Sequence, residues 1–231
     1  MQLIFDHKTA ETDDIFSFYF KSENLLNYTP GQFIELKLPH KNPDSRGTTR
    51  WFTLSSSPLD KKLSITTKIS ENGSSYKKTL FNLIPGTVVD ITGPMGDFVL
   101  PKILQTPIVF IAGGIGVTPI ISMIKYLLQT HEIRPLHLFY TVNNESDIIF
   151  NNFFEKYKLP TTIVVNQPTE AWGGEQGQLN TDMIIDIIQP TNNTLFYLSG
   201  PDSMVKSLSK SLKEIIDDQK RIITDFFPGY N

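Results

Sequence analysis

The sequence runs to 231 residues, 39% hydrophobic and 19% charged, a balance that excludes a disordered, collagenous or membrane-spanning chain and suits two modest domains, each with its own core. With 24 acidic against 21 basic residues the net charge is −3, so no surplus of Lys and Arg points to nucleic acid or to insertion at an anionic membrane. The absence of cysteine excludes disulfides, thiol nucleophiles and thiolate-held zinc or iron–sulfur centres within this chain.

The opening residues, Met1 to Asp6, alternate and carry no basic-then-apolar leader, which makes the cytoplasm the expected location. Short β-type runs follow, at Phe16 to Lys21, Gln32 to Leu38, Trp51 to Ser55, Leu63 to Ile69 and Thr87 to Thr92, each bounded by turn residues such as Thr29-Pro30-Gly31. Helical spacing of Tyr76, Leu80, Leu83 and Ile84 predicts one helix over Ser75 to Leu83. This first half reads as an antiparallel barrel or sandwich.

Past a proline-flanked joint at Pro101 to Thr106 the period changes. Strand-like runs at Ile108 to Ala112, Leu136 to Val142, Thr161 to Val165, Thr194 to Ser199 and Arg221 to Ile223 alternate with helical segments. Those segments are Pro119 to Gln129, Asp147 to Tyr157, Thr181 to Ile188 and Asp202 to Asp217. This alternation predicts a parallel sheet covered by helices, with domain limits of 1–101 and 102–231. The four histidines, His7, His40, His131 and His137, lack the spacing of a metal site, and no metal is expected.

The sharpest local feature of the second half is Ala112-Gly113-Gly114-Ile115-Gly116-Val117-Thr118-Pro119, between a buried strand and an amphipathic helix. Glycines let a backbone approach a pyrophosphate, and the free amides of a helix start favour an anion; a plain glycine turn is the other reading. Thr118 suits the N-cap and Pro119 the first helical position. Pro119 stands where the dinucleotide fingerprint has its third glycine, and the acidic residue expected about twenty positions on is missing, so the match to that fingerprint is incomplete.

In the first half, Arg50-Trp51-Phe52-Thr53-Leu54-Ser55-Ser56-Ser57-Pro58 resembles the flavin signature of the ferredoxin-NADP reductase superfamily, Arg-x-Tyr/Phe-Ser/Thr followed by small hydroxyl residues and a proline. By propensity alone the same run is a strand. The resemblance continues in order along the chain, through Tyr28 to Phe33, Thr66-Thr67-Lys68, Gly73-Ser74-Ser75, the turn Gly93 to Phe98, the loop Gly113 to Pro119, Ser199-Gly200-Pro201 with Met204, and Asp225 to Tyr230.

The resemblance implies an FAD-binding antiparallel β-barrel followed by a parallel-sheet, nucleotide-binding α/β domain, with the active site between them. It implies hydride transfer from NADH or NADPH to FAD and onward release of electrons. By the same resemblance Arg50 holds FAD phosphate, Phe52 packs on the isoalloxazine with Trp51 beside it, and Thr53 lies near the reactive flavin nitrogen. Thr66, Thr67 and Lys68 pass the FAD ribose and pyrophosphate, and Gly73, Ser74 and Ser75 receive phosphate oxygens, Ser75 also being readable as a simple helix cap. Gly114, Gly116, Val117, Thr118 and Pro119, with Asn143, Gly200 and Pro201, are implied to contact the pyridine nucleotide. Ser199 takes the place of a cysteine that lies beside the nicotinamide in many members. Asp225, Phe226 and Phe227 belong to an aromatic tail, with Phe226 as the ring expected to shield the flavin.

No basic residue occurs between Thr141 and Phe154, and Glu145 would repel a 2′-phosphate, so NADH is the expected donor. The loop Trp172 to Gly177 reads as a surface turn. The acceptor, whether redox protein, haem protein or free flavin, is not specified, and a non-catalytic flavin-binding subunit of a larger complex is the rival reading.

Overall fold

A computed structural model describes residues 1–22, 26–70 and 72–226, with the backbone alone for Phe226. The chain forms two compact units, residues 1–100 with 121–130, and residues 101–120 with 131–231.

In the first unit six strands form one antiparallel sheet: β1 (Gln2–Ala10), β2 (Ile15–Lys21), β3 (Phe33–Lys37), β4 (Thr49–Thr53), β5 (Leu63–Lys68) and β6 (Val88–Met95), in the order β4-β3-β6-β1-β2-β5. A bridge between Leu54 and Ile65 brings the two ends of that order together, so the sheet curls as the barrel reading expects. Period-2 patterning sets the register: on β3, Ile34 and Leu36 are buried and Glu35 between them is not. Helix α1 (Ser75–Phe81) starts where Ser74 Oγ accepts the Lys77 amide. Its buried residues Tyr76 and Leu80, one turn apart, join Phe5, Phe18, Phe20, Ile34, Leu36 and Phe52 in one core. Each such ring or aliphatic side chain contributes about 1.5–3 kcal/mol through burial.

In the second unit β7 (Ile108–Gly113), β8 (Leu136–Val142), β9 (Thr161–Val165), β10 (Glu175–Gln176), β11 (Leu195–Gly200) and β12 (Ile222–Phe226) form a parallel sheet in the order β10-β9-β8-β7-β11-β12. Helices α2 (Val117–Gln129), α3 (Asn151–Tyr157), α4 (Thr181–Ile188) and α5 (Asp202–Ile215) alternate with the strands. All six residues of β7 are buried, which explains its unbroken apolar run. From β7 the chain goes to β8 on one side, while β11 lies on the other, so the topology switches between β7 and β11. Ligands of open α/β sheets bind beyond the strand ends at such a switch.

Three expected elements differ: within the run Trp172 to Gly177, read as a surface turn, Glu175 and Gln176 pair with Val164 and Val165 as β10. The helix over Asp147 to Tyr157 is a short 3₁₀ turn at Glu145–Asp147, a break, and then α3. Asn144 and Asp147 cap one another across that turn, Ile148 is extended, Ile149 is buried, and Phe150 takes a left-handed conformation with φ 61°. The apolar Ile148-Ile149-Phe150 thus anchors a turn instead of continuing a helix. The last strand begins at Ile222 and extends beyond Ile223, because β12 pairs with β11 along its whole length.

Candidate flavin and nucleotide sites

Along β4 the side chains alternate across the sheet. Trp51 points outward, 65% exposed, with Nε1 donating to Glu35 at 3.2 Å, whereas Phe52 is 7% exposed and lies against Tyr76 with ring centroids 6.1 Å apart. The accessible aromatic of this run is therefore Trp51. Arg50 shares the Phe52 side, its guanidinium 4.9 Å from the centre of the Tyr76 ring. Tyr76 is held in place by its hydroxyl, which donates to the Leu36 carbonyl at 2.8 Å, and burial pushes that phenol well above the ordinary tyrosine range.

Ser75, at the start of α1, is drawn into the same cluster: its Oγ lies 3.0 Å from His40 Nε2, and the His40 ring meets Tyr76 edge-on. Arg50 and Ser75, two of the residues expected at FAD phosphate, thus converge around Tyr76. Ser74 caps α1, and Gly73 is needed because a Cβ there would lie 2.8 Å from the Ser70 carbonyl oxygen.

The remaining expected flavin residues sit differently. Thr53 is buried. Thr66 turns its hydroxyl into a chain with Ser17 at 2.8 Å and Ser55 at 2.9 Å, and Thr67 accepts from Lys77 Nζ at 3.0 Å. Lys68 pairs with Asp14 at 2.7 Å. In the sequence Asp44, Arg46 and Lys77 carry no motif, His40 reads as an ordinary histidine outside any metal site, and Tyr76 reads only as a helix packing residue. The helical spacing of Tyr76 was the one signal available.

At the switch of the second unit the glycines have separate jobs. A Cβ on Gly113 would lie 2.6 Å from Met204 Sδ and 2.9 Å from Pro201 Cδ, and one on Gly116 would lie 2.5 Å from Gly200 Cα and meet the Ser199 carbonyl. These two glycines let the loop after β7 pack on the loop after β11. Gly114 has φ +49° and open space where a side chain would be, so it is the glycine whose backbone a ligand can approach. The expected cap is corrected: a 3₁₀ turn over Gly114–Gly116 runs directly into α2 at Val117. Thr118 lies inside the helix and donates its hydroxyl to the Ile115 carbonyl at 3.0 Å, and Pro119 is the third helical residue instead of the first. Proline is still tolerated there, since first-turn amides have no intrahelical partner.

Ser199 is wholly buried beside Ala112 and Asp225 in the strand register, and its Oγ makes no hydrogen bond; Thr141 Oγ1 is likewise a buried atom without one, as is Asp202 Oδ1, although the other Asp202 oxygen pairs with Lys206. A buried, unsatisfied hydroxyl costs about 1–3 kcal/mol and calls for an explanation. Gly200 and Pro201 follow directly. Beyond β8, Asn143 Oδ1 accepts from Asn166 Nδ2 at 3.0 Å, and the Glu145 carboxylate accepts both the amide and the hydroxyl of Thr169 at 2.8 Å. In the loop Trp172 to Gly177 the indole donates to the Glu175 carbonyl at 2.8 Å. Asp225 is half-buried on β12. The Phe226 side chain and Phe227 lie outside the described residues. Among the described residues no group of His, Asp and Glu could hold a metal ion, and no helix is long and apolar enough to cross a membrane.

Two family models match the chain in succession, the oxidoreductase FAD-binding domain over residues 1–100 and the oxidoreductase NAD-binding domain over residues 110–210. The chain belongs to the ferredoxin-NADP reductase superfamily. Flavohemoprotein A of Dictyostelium discoideum is 27% identical over 98% of this chain and 60% of its own length. The FAD/NAD-binding domain of nitric oxide dioxygenase from Vibrio cholerae has a TM-score of 0.84 at 21% identity, over 98% of both chains. A ferredoxin NADP+ reductase from Neisseria gonorrhoeae, solved with bound FAD and NADP, has a TM-score of 0.78 at 16% identity, again over 98% of both. The chain spans about three-fifths of the length of the curated relatives it matches. The two matched models describe the FAD-binding and NAD-binding domains of oxidoreductases.

Proposed function

We propose that this oxidoreductase takes electrons from NADH and delivers them to a haem or other redox protein, with Arg50 and Ser75 holding FAD phosphate and the Gly114 loop holding the nucleotide pyrophosphate. FAD, when bound, supplies the capacity to accept a hydride and to release electrons onward. The observation that carries the reading is the seating of Gly116 on the Ser199–Gly200 backbone, which sets an approachable glycine, a helix start and an unpartnered hydroxyl together at the switch of a parallel sheet.

Each residue's share follows from its chemistry. Arg50 offers a planar fork matched to phosphate oxygens, and Tyr76 beneath it fixes the direction of that fork. Gly114, whose backbone is open to approach, brings the loop to the anion, while the Val117 amide at the start of α2 is taken by the Gly114 and Ile115 carbonyls. Ser199 brings a hydroxyl with unused capacity to the place assigned to the nicotinamide. Asn143 and Glu145, held by Asn166 and Thr169, form a neutral-to-acidic rim that suits a free ribose diol better than a 2′-phosphate. Phe52, Thr53 and the aromatic tail belong to the flavin surroundings by resemblance, and Trp51 joins them as the exposed ring of β4.

Purified protein tests this directly. A yellow protein bleached by NADH, with turnover on an artificial acceptor, is the expected result; a colourless protein that binds neither nucleotide would favour a non-catalytic subunit. Arg50→Ala should weaken FAD binding by one to two decades, since a charge-assisted phosphate contact is worth roughly 1.5–3 kcal/mol. Unchanged flavin affinity in that variant removes Arg50 from the role.

A further inference from the structure

The Arg50 guanidinium already has an anionic partner within the chain. Its Nη2 donates to Asp44 Oδ1 at 2.7 Å, while Nη1 donates to the carbonyls of Arg46, Gly47 and Thr49 at 3.1, 3.1 and 2.6 Å. The same carboxylate collects Arg46 as well, accepting the Arg46 amide on Oδ1 at 2.9 Å and Arg46 Nη2 on Oδ2 at 2.8 Å. Two guanidinium groups and one backbone amide therefore converge on the two oxygens of a single carboxylate. That donor set, charge-assisted and forked, is the set a phosphate group asks for. The segment that supplies Asp44 also supplies His40, whose Nε2 lies 3.0 Å from Ser75 Oγ, so one stretch of chain engages both side chains assigned to FAD phosphate.

We propose that Asp44, Arg46 and Arg50 form an exchangeable anion site, in which the Asp44 carboxylate occupies the place that an FAD phosphate takes, so that FAD binds by displacing Asp44 and gains Arg46 as a second guanidinium partner. The inference rests on the assignment of Arg50 to FAD phosphate. Exchange is feasible because the contacts are partly exposed: the Asp44 side chain is 31% and the Arg46 side chain 58% exposed, so neither is locked in a dry core. Arg50, at 13%, stays in place over Tyr76 and is the fixed member. The Arg46 guanidinium, with Arg50 adding to it, holds the Asp44 carboxyl at about 2, so the internal competitor is anionic throughout the neutral range.

The test is a fluorescence titration of flavin-stripped protein with FAD and, separately, with riboflavin, which carries no phosphate. Asp44→Asn keeps an oxygen for the Arg46 amide, preserving the turn, and removes only the charge. FAD should bind Asp44→Asn roughly two- to fivefold more tightly than the parent protein, as expected when a partly exposed ion pair stops competing, while riboflavin affinity stays level. Arg46→Ala should weaken FAD binding several-fold and leave riboflavin unaffected. Circular dichroism melts of the stripped variants establish that each is folded. Weaker FAD binding by Asp44→Asn would show that the carboxylate positions Arg50 instead of competing for it, and an equal gain for both flavins would show that phosphate is not what Asp44 displaces; either result overturns the proposal. Should Arg50→Ala leave FAD affinity unchanged, the underlying assignment falls, an outcome separate from the other two.

Discussion

The Ser199 hydroxyl is the residue where stability and reaction part company. It is wholly buried and makes no hydrogen bond, so the fold alone gains nothing from it. Replacement by alanine removes the desolvated oxygen and keeps the strand, and should leave thermal stability without nucleotide equal or higher by about 1 kcal/mol. If the hydroxyl serves the nicotinamide, the same variant should be reduced more slowly by NADH in a stopped-flow experiment. A destabilised Ser199→Ala that reduces its flavin at the parent rate would make the hydroxyl structural. At this scale the sequence exposed residues that carry a motif, Arg50, Ser75, Gly114 and Gly116 among them. It could not expose His40, which meets Ser75 from 35 residues away, or Asp44 and Arg46, which act within a loop that has no period to read. Phe52 and Trp51 show a related limit: the motif names an aromatic, and only the pleat of β4 decides which ring is buried and which is open.

Elements were legible where a hydrophobic period was strong and less so where a side chain closed a local turn. The parallel strands other than β10, with α4, α5 and most of α2, follow from periodicity; the two residues of β10 sit in a run that reads as a turn, and the break before α3 follows from the reciprocal capping of Asn144 and Asp147, which periodicity cannot register. Electrostatics between strands is likewise hidden in the sequence. Asp6 on β1 is bracketed by Lys21 of β2, with Lys62 at 2.5 Å and His7 at 2.7 Å, and these partners, Lys21 foremost, hold its carboxyl well below the ordinary 3.8. A depressed carboxylate contributes stability that is complete above its unfolded value and is lost as pH falls through the folded one. Urea unfolding should therefore separate the parent protein from Asp6→Asn fully at neutral pH, and the gap should narrow progressively below about pH 3.8. A gap that is constant from neutral to strongly acid pH would show that the cluster does not depend on the carboxylate charge.

For the whole molecule, the change from period-2 runs to alternating strands and helices made the two-part architecture readable before any motif was considered, because each period belongs to a different way of burying a core. What the fold cannot supply is the choice of nucleotide, which rests on a few side chains beyond β8. There the Glu145 carboxylate is fastened by two hydrogen bonds from Thr169, so its charge has a fixed position, and Asn143 and Asn166 beside it are neutral. A fixed anion near a 2′-phosphate is repulsive, and for exposed groups screened by water the effect is on the order of 1 kcal/mol, or a few-fold to tenfold in binding. Steady-state kinetics should accordingly give a larger kcat/KM with NADH than with NADPH. Glu145→Gln should narrow the ratio and Glu145→Lys should narrow it further, chiefly by lowering KM for NADPH, and the ratio should also fall at high salt as the repulsion is screened. Preference for NADPH in the parent protein, or a ratio indifferent to both substitutions, would place the discriminating contact on another part of the chain.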